Sequence, residues 1–231
     1  MPKKGASPDV LAWLFDVDRA QTHRWVTKYL PVLEAALGRK AVLPERKIAN
    51  VEEFLRRFPQ VKEVLVDGSE RPIRRPTGYE AQQPYDSGKK KDHRVKNIVI
   101  STPKKRILVL SETFPGHIHD KTGANAQGIF ELIPPDVLVH IDLGFLGVPK
   151  ERPEGQFSLP EKKPKGQPLS AEAKARNQQK ASRRVLVEHA LGGVKRLRAV
   201  ADRLRNRLAV FADRLMVVAC GLWNLHVEMA A

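Results

Sequence analysis

Two aspartates occupy positions from which acidic side chains can do chemistry. Asp67 closes the apolar run VKEVLVD (Val61–Asp67) and Asp142 closes VLVHID (Val137–Asp142), each just before a glycine-containing turn. The pattern puts both at strand ends. Sites in open α/β sheets gather beyond the carboxyl ends of the strands, so two neighbouring strands of this kind would bring the carboxylates together. Two such charges repel, and a hard divalent cation such as Mg²⁺, which takes oxygen ligands, removes the repulsion. A single strand-end Asp serves equally as a turn or cap residue. A third acid, Glu188, lies in the helical stretch RRVLVEHALGGVKR (Arg183–Arg196). At 3.6 residues per turn, Arg184 sits about 40° and Lys195 about 20° from it around the axis. A solvated ion-pair row would look the same. The apolar neighbours Val185, Leu186 and Val187 argue otherwise, and the pair Gly192-Gly193, costing about 2 kcal/mol of helix propensity, needs a close approach by substrate or by another element.

The elements that would position these acids follow from periodicity. Residues 61–68, 95–101 and 106–111 read as strands, the last two joined by a hairpin loop at 102–105. Residues 122–132 read as a helix and 137–142 as a fourth strand; 151–169 is an extended loop with at most one short strand. From Ser170 the chain is helical, ending in an amphipathic array from Val194 to Leu225. Strands, a helix, a strand and then helices describe an α/β class, a mixed sheet flanked by helices. Before it, residues 9–37 form two short helices joined by a tight turn, with Asp18 as N-cap, and Asn50 opens a helix that Pro59 ends. A short N-terminal helix-turn-helix would direct Arg19, Gln21, Thr22 and Arg24 to a DNA groove. The expected division is a helical, partial helix-turn-helix DNA-binding segment at 1–58 and a catalytic domain at 59–231.

Composition agrees with a nucleic-acid partner. Lys and Arg number 41 against 26 Asp and Glu, a net charge of +15 in 231 residues, while 42% hydrophobic residues suffice for a core. A glycosidase would have no use for that charge. Between residues 150 and 207 there are 16 Lys and Arg against 6 Asp and Glu, beside Glu188, which reads as a DNA track. Lys89, Lys90, Lys91, Arg184, Lys195 and Arg196 are its expected phosphate contacts. The single Cys220 excludes an internal disulfide and a cysteine zinc site, and His117, His119 and His140 match no metal spacing. The most apolar stretch, 208–227, is interrupted by Asp213-Arg214, and no segment resembles a signal peptide. A cytoplasmic, nucleoid-associated protein without a membrane partner is expected.

Several ordered motifs resemble one family. VDGSERPIRRP (Val66–Pro76), YDSGKKKDHRVKN (Tyr85–Asn97), PGHIHDKT (Pro115–Thr122), DLGFLG (Asp142–Gly147), VEHALGGVKRLR (Val187–Arg198) and ACGLWNL (Ala219–Leu225) look like DDE-superfamily transposases of bacterial insertion sequences, of the insertion-sequence-five type related to Harbinger transposases. The resemblance implies a ribonuclease-H-like core whose acids, Asp67, Asp142 and Glu188 here, hold two Mg²⁺ or Mn²⁺ ions for cleavage and transfer of double-stranded DNA. Asp67 would bridge both ions. Asp120 is the rival for the second position, and Asp120 with His119 are possible accessories. A homo-oligomer on DNA is implied as well. The family's helix signature, Tyr-x2-Arg-x3-Glu-x6-Lys, is met at Arg184, Glu188 and Lys195, with Ala181 where the Tyr stands. That departure bears on a contact to DNA near the cleavage site, and the short N-terminal unit implies a truncated or split reading frame; the alternative is a catalytically silent, transposase-derived DNA-binding protein.

Overall fold

Short polar side chains set the helix starts. In the computed structural model, which describes residues 8–88, 90–164, 166, 168–206 and 208–230, α1 (Pro8–Phe15) stops at Asp16, whose φ is 48°. Asp18 then caps α2 (Arg19–Arg39) by accepting the Ala20 N–H at 2.7 Å. Asn50 caps α3 (Val51–Arg57) by accepting the Glu53 N–H at 2.9 Å, and Glu53 returns a carboxylate oxygen to the Ala49 N–H at 2.7 Å. This reciprocal arrangement satisfies two donors that the first turn leaves open.

The sheet is built on β1 (Glu63–Pro72). After the short α4 (Tyr79–Gln82) come β2 (Asp86–Ser87), β3 (Asp92–Ser101), β4 (Ile107–Leu110) and β5 (Phe114–Pro115). Then follow α5 (Asp120–Ala126), β6 (Leu138–His140), α6 (Val148–Glu151), β7 (Gln156–Ser158), α7 (Ala171–Val194), α8 (Arg198–Ala201) and α9 (Ala209–Met229). β3 runs antiparallel to β1 and carries β2, β4 and β5 on its other edge; β6 and β7 join β1 in parallel on the opposite side. The central strands are apolar on both faces because both faces are covered. Val64, Val66, Ile98 and Ile100 pack on the side of α3 and α5 with Phe54, Phe130 and Phe145. Leu65 and Val99 pack on the other side with α7 and α9. Successive strand side chains alternate between these faces, and that alternation decides where each acid points.

Segment 37–58 shares its packing with the sheet: Leu37 and Val42 lie against Val218, and Phe54 is in the α3/α5-side core. α9 is long and apolar enough to cross a membrane, but Leu215 to Gly221 are buried in the protein.

Three sequence expectations change. Asp67 does not end its strand: β1 continues to Pro72, paired in unbroken register with β3 down to Arg94, so Gly68 makes no turn. The expected helix 122–132 is confined to 120–126. The array from Val194 to Leu225 is not one helix. α7 ends at Val194, α8 is a single turn, and the chain then extends so that Leu204 bridges Ile73 beside β1 before α9 begins. Its apolar positions still reach one core, from three separate pieces.

Candidate active site

Asp67, fifth residue of β1, shares the odd-numbered face of the strand with Leu65 and therefore points toward α7. Asp142 follows β6 by two residues and caps a short 3-10 turn, accepting the Gly144 N–H at 2.8 Å. Glu188 projects from α7, half exposed. Arg184, one turn earlier on the same helix, joins the last two: its Nη2 is 3.3 Å from Glu188 Oε1 and its Nη1 3.9 Å from Asp142 Oδ2. Its guanidinium is also close enough to Asp67 to act on its ionisation. Asp142 and Glu188, distant in sequence, thus meet at one arginine, with Asp67 within its electrostatic reach. As the side chains stand, no group of three or more His, Cys, Asp or Glu among the described residues is placed to hold a metal ion.

Electrostatics mark Asp67 out. Burial pushes its carboxyl up from 3.8 to about 6; the Asp142 and Asp120 carboxylates add to the rise, while the Gly68 N–H, donated to Oδ1 at 2.8 Å, and Arg184 oppose it. An acid with this shift is costly to ionise where it lies. Lys195, at the end of α7, is the nearby amine with a resolved shift: burial lowers its pKa, and the Asp67 carboxylate pulls the other way. It is therefore partly buried and within electrostatic reach of Asp67.

Asp120 belongs to the opposite face. Its carboxyl lies 3.0 Å from where a Cβ on Gly68 would stand, and its Oδ1 accepts from Lys96 Nζ at 2.9 Å; Lys96 also lies 3.5 Å from Glu70. Gly68, Glu70 and Lys96 are even-numbered, on the face that carries Val66 and Ile98. The sheet therefore separates Asp120 from Asp67, which favours Asp142 as the second acid. His119 precedes α5 and makes no capping hydrogen bond with its side chain.

The expected DNA contacts are unequal. Arg19, Arg24, Lys90, Lys91 and Arg196 are exposed and Gln21 is partly so. Arg19 faces Asp9 at 3.2 Å. Thr22 is corrected: it is 2% exposed and its hydroxyl donates to the Arg19 carbonyl at 2.8 Å, because the α1 side of α2 is covered. Arg184 is turned to carboxylates instead of outward. Lys89 lies outside the described residues. The glycine pair of α7 has a partial explanation: a Cβ on Gly193 would collide with the Trp223 ring of α9, so a neighbouring element makes the close approach, while Gly192 faces open space.

Sequence reasoning missed a buried polar cluster further along the Asp67 face. Arg71 is 3% exposed and donates to the Ala212 carbonyl at 2.8 Å and to Asn97 Oδ1 at 2.7 Å. Asp213 accepts from Arg46 Nη2 at 2.7 and 2.9 Å and from the Thr113 hydroxyl at 2.6 Å. Burial lowers the Arg71 pKa to about 10, against the pull of Asp213. The cluster ties β1, β3 and α9 together just beyond Asp67. The only hint in the sequence is an arginine in alternation with Asp67.

With this geometry in place, the comparison with known families is informative. The description "DDE superfamily endonuclease" matches residues 66–224, starting one residue before Asp67 and spanning Asp142 and Glu188. The chain belongs to this family. No curated protein and no solved structure matches the chain. Membership in the DDE superfamily endonucleases points to DNA cleavage of the nuclease or transposase type, with DNA as substrate and divalent metal ions as the usual helpers.

Proposed function

We propose that this endonuclease is a transposase of the insertion-sequence-five type that cuts and rejoins double-stranded DNA, with Asp67, Asp142 and Glu188 as its catalytic acids. The observation that carries the proposal is the convergence of Asp142, at the exit of β6, and Glu188, on α7, upon Arg184, with Asp67 on the face of β1 turned toward the same helix. The strand arrangement, antiparallel β1, β3 and β4 followed by β6 and β7 parallel to β1, supports a ribonuclease-H-like reading of the sheet.

The residues fit divalent metal in kind. They offer hard carboxylate oxygens, and the pKa of Asp67, raised chiefly by burial and further by the Asp142 and Asp120 carboxylates, is one that a bound cation would lower. Two Mg²⁺ or Mn²⁺ ions held by Asp67, Asp142 and Glu188 would activate the attacking water or 3′-hydroxyl and stabilise the leaving oxygen. The protein's own share is positioning. β1 and its partner β3 fix Asp67, the Gly144 N–H orients Asp142, and α7 carries Glu188 and Arg184 one turn apart. Lys90, Lys91 and Arg196, with Arg19, Gln21 and Arg24 on α2, would hold DNA phosphates and groove edges. A homo-oligomer on DNA, a helix-turn-helix made by α1 and α2, and action at the nucleoid belong to the same proposal.

A labelled transposon-end duplex offered with Mg²⁺ or Mn²⁺ tests it. Cleavage should occur and should be lost in Asp67→Ala and Glu188→Ala; cutting that persists in both variants overturns the assignment. One observation favours a second reading, a catalytically silent DNA-binding protein. Ala181, where the family has Tyr, is exposed on α7 and leaves nothing there to reach DNA near the cleavage point. That reading predicts duplex binding without cutting.

A further inference from the structure

Arg184 was expected to bind phosphate, yet it stands among the carboxylates. Its position is unusual for a structural ion pair. Forked arginine–carboxylate pairs are short, two parallel N–H···O bonds to one partner; Arg176 on Glu161 is of that kind, its Nε and Nη2 at 2.6 and 3.1 Å from the two carboxylate oxygens. Arg184 instead spreads its two terminal nitrogens over two carboxylates, Glu188 at 3.3 Å and Asp142 at 3.9 Å, while its buried Nε has no partner. The guanidinium docks on none of the acids. It lies between them, where a counter-ion would.

We propose that Arg184 is a stand-in cation: it neutralises the acidic site while no divalent ion is bound, and turns out to a DNA phosphate when an ion takes its place. The proposal rests on the metal-binding reading given above. Arg184 is a positioning residue, tied to both ligands through one side chain. A phosphate that draws the guanidinium outward vacates the acids for the ion, and an ion that enters releases the guanidinium for the phosphate. Linkage makes the two effects equal, so DNA and metal each tighten the binding of the other by the same factor.

The test uses the full chain and Mn²⁺, with free Mn²⁺ followed by electron paramagnetic resonance in the presence and absence of a duplex. In the unaltered protein, duplex should tighten Mn²⁺ binding roughly 5- to 100-fold. Arg184→Gln should bind Mn²⁺ several-fold more tightly than the parent without DNA and lose most of the enhancement by DNA. Arg184→Lys, which keeps the charge, should restore part of it. A simple structural role predicts neither the tighter binding nor the lost coupling. Mn²⁺ binding that is unchanged or weaker in folded Arg184→Gln overturns the proposal. So does a parent protein whose Mn²⁺ affinity ignores DNA, a measurement that does not depend on any variant folding. If the parent binds no Mn²⁺ at millimolar concentration in either condition, the metal-binding reading fails and takes this proposal with it.

Discussion

Replacing Asp67 by Asn should make this endonuclease more stable at neutral pH, although it removes a proposed catalytic group. The folded state raises the Asp67 pKa from 3.8 to about 6, chiefly by burial. At about 1.4 kcal/mol per tenfold, the ionised carboxylate costs about 3 kcal/mol once the pH is well above 6. The sign follows from proton counting: between these two values the folded protein holds more protons than the unfolded chain, so stability is full below 3.8 and falls as pH rises through 6. Asn has the same shape, keeps an oxygen for the Gly68 N–H, and has no charge to bury. Urea unfolding of parent and variant should therefore show a gap of about 3 kcal/mol in favour of Asn at pH 7.5, shrinking to about 1 kcal/mol at pH 4.5. Adding Mg²⁺ at pH 7.5 should narrow the gap by stabilising only the parent. A variant less stable than the parent at pH 7.5, or a gap independent of pH, would refute the reasoning.

Other perturbations have equally definite outcomes. Gly193→Ala should lower stability by about 1–3 kcal/mol by driving a methyl into the Trp223 ring, whereas Gly192→Ala, facing open space, should raise it by about 1 kcal/mol; thermal melts distinguish the two. Arg71→Met should cost about 1–3 kcal/mol in denaturant titrations, because the Ala212 carbonyl loses its side-chain donor and the buried Asn97 oxygen keeps only the Thr113 hydroxyl at 3.3 Å. Asn224→Ala should cost about 1–3 kcal/mol, since the Ile107 N–H and two carbonyls lose their partner. DNA affinity should fall steeply with salt, and replacing Lys90 and Lys91 together by Ala should flatten the log–log slope by about 2 without changing sequence preference.

The acids proposed as catalytic were legible in the sequence for reasons that physics explains unevenly. Unbroken apolar runs such as VLV and NIVI identify strands buried on both faces, and an acid set in or beside such a run is conspicuous. The caps at Asp18 and Asn50 were readable because short polar side chains there have one obvious task. Pairing was not readable. Only the register of β1 against β3 carries Asp67 into mid-strand and sends Asp120 through to the other face. The direction of Arg184 was also hidden, since helix angles place a residue on a stripe but do not say what the sheet presents to that stripe. The N-terminal helices show a further limit. Their apolar residues recur at helical spacing, yet Leu14, Phe15, Val26, Tyr29 and Leu33 are exposed, so a periodic stripe reports what a helix is able to cover and not what covers it.

Asn224 deserves a last consequence. Its amide accepts the Ile107 N–H and donates to the Ile107 and Val42 carbonyls, while the Glu45 backbone pairs with Leu108 and Leu110 along the same edge strand. An outer strand normally offers a free rail to any extended peptide. Here one α9 side chain and a stretch of loop occupy that rail, so recruitment of further strands into fibrils is blocked along β4, and the Ile107 amide should exchange its proton for deuterium as slowly as amides in the middle of the sheet.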